Sequence, residues 1–211
     1  TFTNKAAQEM RSRVEKLLAT QTGFVGQPLL GTFHSLCARF LRADIHYLGF
    51  KNSFAIYDTG DQLQVVKGAL EKLKLDSKKF APQAVLAQIS NAKSELLDPI
   101  AYAKKANDYF QETVAKIYPL YEQGLHANNA LDFDDLIYKT VLLFQRFPEV
   151  LDRYQERFHY LLVDEYQDTN HSQYVFLHLL AEKYRNITVV GDDWQGIYSW
   201  RGADIRNILN F

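Results

Sequence analysis

The chain lacks the cysteine pairs, the signal peptide and the long apolar run that would indicate a secreted or membrane protein. Its 211 residues include a single cysteine, Cys37, so no disulfide can form within the chain, and a cytoplasmic setting is expected. No signal peptide and no run of about 18 apolar residues occurs, so no membrane span is expected. The formal net charge is −1, and any nucleic-acid binding must therefore come from local groups rather than from a global basic field.

The sequence also lacks a natural beginning and end. It starts without methionine on TFTNKAAQEM, which is typical of a strand that runs into a helix, and it stops in IRNILNF inside a helical pattern. We therefore expect a fragment of a larger protein. Apolar residues make up 47% of the chain and charged residues 23%, which is ordinary for a globular protein with a core.

Apolar residues recur at helical spacing in several segments. A helix from about Lys5 to Ala19 is predicted with Asn4 as its cap, and HSLCARFLRADIHYL predicts a second helix that ends at Gly49. A third helix follows, and three polar residues could cap it: Asp58, Thr59 and Asp61. ALDFDDLIYKTVLLFQRF predicts one more helix, which stops before Pro148.

Short apolar runs between the helices predict strands at LLGTF, FAIY, HYLLV and ITVVG. HSQYVFLHLLAEKY and DIRNILNF are helical in pattern, and strand–helix–strand spacing predicts an α/β fold with a parallel sheet flanked by helices. Between Ser77 and His126 the sequence is helical, rich in Lys, Gln, Ala and Asn, and free of strand runs. This stretch is predicted to be a helical insertion.

Acidic residues follow two of the predicted strands. Asp164 and Glu165 come directly after YLLV, and Gly191, Asp192 and Asp193 come after ITVV. Ligands of open parallel sheets sit outside the carboxyl ends of the strands. A pair of acidic strand ends would suit Mg²⁺, which accepts one or two carboxylates, and Glu165 could then polarise an attacking water.

The same acids have a plainer interpretation. Acids after a strand often cap the next helix, and Asp168 and Asn170 are well suited to do so. Spacing alone does not decide between caps and a cation site, and both interpretations stay open at this point.

Five segments taken together carry a more specific signal. TFTNKAAQEM, GTFHSLCARFL, LDFDDLI, LLVDEYQDTN and VVGDDWQGIYSWRGADI closely resemble, in sequence and order, motifs of the UvrD/Rep/PcrA helicases, which are superfamily 1 DNA translocases. The resemblance implies an incomplete RecA-like P-loop NTPase motor domain with a helical insertion subdomain. Residues 1–59 and 128–211 would form two parts of the motor domain, and residues 60–127 would form the insertion.

The resemblance also implies roles for individual residues. DEYQD resembles a Walker B motif, in which Asp164 would hold the Mg²⁺ of MgATP and Glu165 would activate the hydrolytic water. Gln195 matches the family glutamine that contacts the γ-phosphate, and all three residues would bind nucleotide. The family's single-stranded DNA path implies the following DNA contacts: Phe2, Thr3, Asn4, Thr32, His34, Phe133, Tyr198, Trp200 and Arg201. Aromatic side chains suit this role because they stack on any base.

Two departures from the family pattern stand out. Trp194 and Gly196 replace the frequent acid and serine of GDDDQSIY, which leaves Asp164, Glu165 and Gln195 untouched. The chain contains no G-x-x-x-x-G-K-[ST] phosphate loop, and the family's second motor domain is also missing. The chain alone is therefore expected to be inactive.

The resemblance thus implies a fragment of an ATP-dependent 3′–5′ DNA helicase of the DNA-repair type. Its cofactors would be ATP and Mg²⁺, and its partner would be single-stranded DNA or a single/double-strand junction. Two alternatives stay open, namely a non-catalytic module that binds single-stranded nucleic acid and the motor part of a helicase–nuclease.

Overall fold

The computed structural model describes residues 1–19, 28–192, 194 and 207, and this part of the chain is mainly helical. Its α-helices are α1 (Asn4–Ala19), α2 (Phe33–Asp44), α3 (Thr59–Lys72), α4 (Pro82–Ser94), α5 (Pro99–Lys105), α6 (Tyr109–Ala127), α7 (Asp135–Arg146), α8 (Pro148–Arg157) and α9 (His171–Ala181). Its strands are β1 (Ala55–Ile56), β2 (Ala130–Leu131), β3 (Leu161–Val163) and β4 (Ile187–Val189). No helix in the described part is long and apolar enough to cross a bilayer.

The strands form two small parallel sheets. β1 pairs with β2 in the register Ala55↔Ala130, and β3 pairs with β4 in the register Leu161↔Ile187. The predicted parallel pairing is therefore present, but each sheet in the described residues has two strands. The larger sheet of a complete RecA-like domain stays a prediction.

Three details of the predicted secondary structure are wrong. The LLGTF strand is absent, because Thr32 instead caps α2 and the carbonyl of Leu30 accepts a hydrogen bond from the Arg11 side chain at 2.7 Å. Thr3 caps α1 in place of Asn4, since its Oγ1 accepts a hydrogen bond from the amide of Ala6 at 3.1 Å. ALDF is not helical, since its first two residues form β2 and α7 begins only at Asp135.

Capping side chains determine where several helices start. Asp58 and Asp61 form a reciprocal capping box at α3, as Asn170 and Gln173 do at α9. Gly49 ends the 3₁₀ turn after α2 with a φ of 82°, a left-handed conformation that glycine adopts at little cost. The predicted boundaries near residues 49, 58 and 170 are therefore confirmed.

Two separate hydrophobic cores hold the helices together. The first is aromatic and is built mainly from α2, α7, α8 and α9, with Phe40, Phe144 and Phe176 at its centre. The second is built from α3 to α6, and its buried members lie between Val66 and Ala130. Burial of one large apolar side chain contributes about 1.5–3 kcal/mol, so each core can stabilise its own set of helices. The parallel pair β1–β2 lies where the chain enters and leaves the second core.

Candidate nucleotide and nucleic-acid sites

The predicted acidic residues lie at one edge of the β3–β4 sheet. Asp164 directly follows β3 and is half-buried, while Glu165 is exposed and adopts a left-handed φ of 55°. The two strand ends are joined beyond the sheet, because the amide of Tyr166 donates to the carbonyl of Val190 at 2.9 Å. The acids therefore stand where parallel strands present ligands, and Asp192 follows β4 at the same edge. We call these three acids the acidic edge.

Gln167 organises the acidic edge, a role that no pattern in the sequence predicted. The residue is 1% exposed. Its Nε2 donates to Glu165 Oε2 at 2.7 Å, and its Oε1 accepts from the amide of Asp192 at 3.0 Å. One buried side chain thus holds the carboxylate that follows β3 and the backbone that follows β4. The glutamine of DEYQD was the available signal, but nothing in the spacing marks it as buried.

The start of the chain lies beside the acidic edge. A cavity of about 600 Å³ runs along β3 and is lined in part by Thr1 and Asp164. Space is therefore available next to the half-buried carboxylate.

The acidic edge has the donor set that a magnesium ion needs from a protein. Among the described residues no group of three or more His, Cys, Asp or Glu side chains could enclose a metal. Mg²⁺ differs from zinc in that it takes one or two carboxylates and completes its shell with water and phosphate oxygens. A half-buried Asp164 at a strand end is compatible with that mode of binding.

Phe133 and His34 form an aromatic platform. The ring of Phe133 stacks on the imidazole of His34 with centroids 3.9 Å apart and an angle of 19° between the planes. Phe133 keeps 53% of its surface exposed, although it is a large apolar residue. Two predicted DNA contacts that are far apart in sequence are thereby brought together, and a flat apolar face is available for a base.

A family model described as the UvrD/REP helicase N-terminal domain matches residues 1–211. The chain belongs to this family. It is 51% identical over 211 residues to the ATP-dependent DNA helicase PcrA of Bacillus subtilis (strain 168) and to that of Staphylococcus aureus (strain Mu50 / ATCC 700699). It is 49% identical over the same length to PcrA of Staphylococcus epidermidis (strain ATCC 35984).

These comparisons cover all of the chain but only 28% of the length of each of these PcrA relatives. The match confirms the resemblance to the UvrD/Rep helicases that the five segments predicted. The relatives' names give no support to the alternative of a non-catalytic binding module.

A second surface lies near the start of α1. Thr3 and Asn4 are exposed at the start of α1. Asn4 and Thr32 both line a groove of about 470 Å³ between α1 and α2. Thr32 itself is 7% exposed, and its Oγ1 accepts a hydrogen bond from the amide of Ser35 at 3.2 Å. The groove therefore brings Asn4 and Thr32 together, and the Thr32 hydroxyl is occupied in capping α2.

Phe2 differs from the other predicted DNA contacts. Its side chain is half-buried and packs on Phe33, with ring centroids 5.5 Å apart and planes tilted by 55°. The ring therefore contributes to the aromatic core, and its role in DNA binding stays a prediction.

Four predicted site residues lie outside the described part of the chain. They are Gln195, Tyr198, Trp200 and Arg201. Trp194 is described and 91% exposed, and its amide donates to the Asp192 carboxylate at 3.0 Å.

Proposed function

We propose that this chain is the nucleotide- and DNA-contacting part of an ATP-dependent DNA helicase that moves 3′–5′ on single-stranded DNA. The observation that carries the proposal is the acidic edge, where Gln167 holds the carboxylate of Glu165 beside Asp164 at the carboxyl end of parallel strands. Membership of the UvrD/Rep family and the names of the PcrA relatives support it.

ATP and Mg²⁺ are the proposed cofactors. Asp164 would hold the metal, which would neutralise charge on the phosphates, and Glu165 would orient and deprotonate the attacking water. The hydrogen bond from Gln167 fixes the Glu165 side chain without neutralising it. The left-handed backbone of Glu165 supports the same role, because strained residues cluster at functional sites.

Single-stranded DNA, or its junction with a duplex, is the proposed partner. A stack of Phe133 on His34 offers a sequence-independent surface for a base, while Thr3 and Asn4 offer polar contacts to phosphate. Gln195, Tyr198, Trp200 and Arg201 stay part of the proposal on the strength of the motif match.

The proposed organisation and location follow the same reasoning. Residues 1–59 and 128–211 would belong to the motor domain and residues 60–127 to the inserted subdomain, and the separate core between Val66 and Ala130 supports this division. A cytoplasmic location is proposed because the single cysteine leaves no disulfide within the chain.

The test is Glu165→Gln in the full-length gene product. Hydrolysis stimulated by single-stranded DNA should be abolished, while equilibrium binding of a fluorescent ATP analogue should persist because Asp164 is still present. The matched control is Glu182→Gln, an exposed acid just after α9, which should leave both quantities unchanged. Hydrolysis near the unmutated rate in Glu165→Gln would refute the assignment of the acidic edge.

A further inference from the structure

A buried lysine in α4 contacts three carboxylates from two other parts of the chain. Lys93 is 1% exposed. Its Nζ lies 2.6 Å from Asp132 Oδ2, 2.9 Å from Asp135 Oδ1 and 2.7 Å from Glu122 Oε1. Burial on its own would lower the pKa of Lys93, but the three acids together raise it, so the ammonium group stays charged.

Two further side chains complete this buried charge cluster. Lys139 Nζ lies 2.7 Å from Glu122 Oε2, and the hydroxyl of Tyr121 donates to Asp132 Oδ2 at 2.9 Å. The cluster thus holds two lysines and three carboxylates. Burial raises the pKa of Asp135 to about 7, with repulsion from Asp132 adding to the shift and Lys93 opposing it.

Two carboxylates of the cluster, those of Asp132 and Asp135, belong to the turn that carries Phe133 and form hydrogen bonds within it. The Asp135 amide donates to Asp132 Oδ1 at 2.7 Å, and the Asp132 amide donates to Asp135 Oδ2 at 3.3 Å. Phe133 lies between these reciprocal bonds, and its exposed ring reaches His34 on the other side. The residues on either side of the platform ring are therefore both anchored to Lys93.

We propose that Lys93 is a positioning residue for nucleic acid: it fixes the turn at residues 132–135 so that the Phe133 ring is preset on His34 to receive an unpaired base. The inference rests on the proposed function, because it assumes that the aromatic platform contacts DNA. It adds a residue of the helical insertion, remote from the platform surface, to those that determine DNA affinity.

The energetics of the cluster favour a positioning role over a simple stabilising one. A well-packed apolar side chain often stabilises a fold as well as or better than a buried ion pair, because desolvation of the charges is costly. Charge-assisted hydrogen bonds have a directional requirement that apolar contacts lack. The contacts from Lys93 to Asp132 and Asp135 hold the turn in one conformation, and the third contact anchors the ammonium to Glu122 of α6. A preset platform binds better because less side-chain freedom is lost on binding.

The experiment measures binding of a labelled oligo-dT to the full-length gene product without nucleotide, by fluorescence anisotropy. Phe133→Ala should weaken affinity by about 5- to 150-fold, the equivalent of one stacked base. Lys93→Met should also weaken the affinity for oligo-dT, but by a smaller factor than Phe133→Ala. Combined with Phe133→Ala it should cause no further loss, because Lys93 acts through the ring that is already gone.

Two additional variants keep the result interpretable. Lys93→Met/Asp135→Asn removes the ammonium together with one of the carboxyl groups that it contacts, so fewer buried groups lose their partner, and the variant is expected to fold, as judged by near-UV circular dichroism. Lys183→Met is the matched control, since Lys183 pairs with Asp152 and Glu156 at an exposed site. It should bind DNA like the unmutated protein.

Each outcome tests either the DNA role of the aromatic platform or the positioning role of Lys93. Unchanged affinity in Phe133→Ala would refute the DNA role of the platform and hence this part of the proposed function. Weakened binding in Phe133→Ala with normal binding in folded Lys93→Met would overturn the positioning role alone. The positioning role is also overturned if the two losses add in full, or if both Lys93 variants fail to fold, because Lys93 would then support the domain and not the platform.

Discussion

The substitution Gln167→Leu tests whether the hydrogen bonds at the acidic edge are needed for hydrolysis, because it removes them and leaves the carboxylates in place. The substitution keeps a side chain of similar size in a buried position and removes both hydrogen bonds, one to the Glu165 carboxylate and one from the Asp192 amide. Neither Glu165 nor Asp192 is itself buried, so water can reach both groups after the change. The carboxylate of Glu165 survives but is no longer held in one orientation.

The expected loss of stability is modest. Each hydrogen bond contributes about 0.5–1.5 kcal/mol net, so the two together account for about 1–3 kcal/mol of the free energy of unfolding. For a folded unit of about 150–250 residues, 1 kcal/mol shifts the melting temperature by about 2–4 °C, which predicts a fall of about 2–12 °C in the unfolding transition of the part that contains Gln167. The turnover number for ATP hydrolysis should fall by more than this loss of stability would cause. A misoriented Glu165 carboxylate slows hydrolysis but leaves nucleotide affinity unchanged.

The assay compares Gln167→Leu with Gln155→Leu in the full-length gene product. Gln155 is also a buried glutamine, 7% exposed, and its Nε2 donates to the carbonyl of Leu179 at 2.7 Å, away from the acidic edge. Both variants should lower the melting temperature, Gln155→Leu by about half as much because its side chain loses one hydrogen bond and that of Gln167 loses two. Only Gln167→Leu should lower the turnover number, with binding of a fluorescent ATP analogue unchanged.

Equal loss of turnover in the two glutamine variants would refute the reasoning, since the effect would then follow from weakened packing. Normal turnover in a folded Gln167→Leu protein would refute it as well, because Glu165 would not depend on Gln167 for its orientation.

Two further predictions concern stability. A Cβ at Gly124 in α6 would lie 2.7 Å from Val65 Cγ1, so Gly124→Ala should destabilise the second core by about 1–3 kcal/mol. Gly68 in α3 has open space around it, so Gly68→Ala should be neutral or should stabilise the fold by up to about 1 kcal/mol. Urea unfolding measures both free energies, and an equal change in the two variants would contradict the prediction. Because the folded-state pKa of Asp135 is raised to about 7 from an unfolded value of about 3.9, its protonated form favours folding below about pH 4, and that contribution is lost as pH rises to about 7. Asp135→Asn should flatten the fall in stability between pH 4 and 7, and an unchanged slope would exclude Asp135 as its source.

Local signals in the sequence predicted much of the fold. The helix starts near Asp58 and Asn170 depend on side chains that bond within three residues, so the sequence contains all of the information. Strands are different, because a strand exists only where a partner lies beside it. LLGTF has the composition of a strand, yet the Leu30 carbonyl bonds to the Arg11 side chain, and the two-residue β2 is defined by its distant partner β1.

The residues of the candidate sites also fall into two groups, those that a local sequence pattern predicts and those that it does not. Asp164 and Glu165 were predictable because an acid directly after an apolar strand is a local pattern with a known location at the sheet edge. Gln167 and Lys93 were not, since a polar residue is marked as buried and paired only by its partners in space. Lys93 and Asp132 are 39 positions apart in the chain, and no spacing rule connects them.

The acidic edge and the aromatic platform share one core, and this fixes their relative positions. α9 follows Asp164 and Glu165 in the chain, α7 follows the turn that carries Phe133, and α2 carries His34. The rings of Phe144 in α7 and Phe176 in α9 stack with centroids 6.2 Å apart, and Phe40 of α2 lies 6.3 Å from each of them. Closely packed interiors deform little, so these helices hold both sites as parts of one block. The second core meets that block where α4 contacts α7 and α9, and Lys93 of α4 pairs with Asp132 and Asp135 of the turn that carries Phe133. We therefore expect a change around Lys93 to reach the Phe133 ring through the turn at residues 132–135.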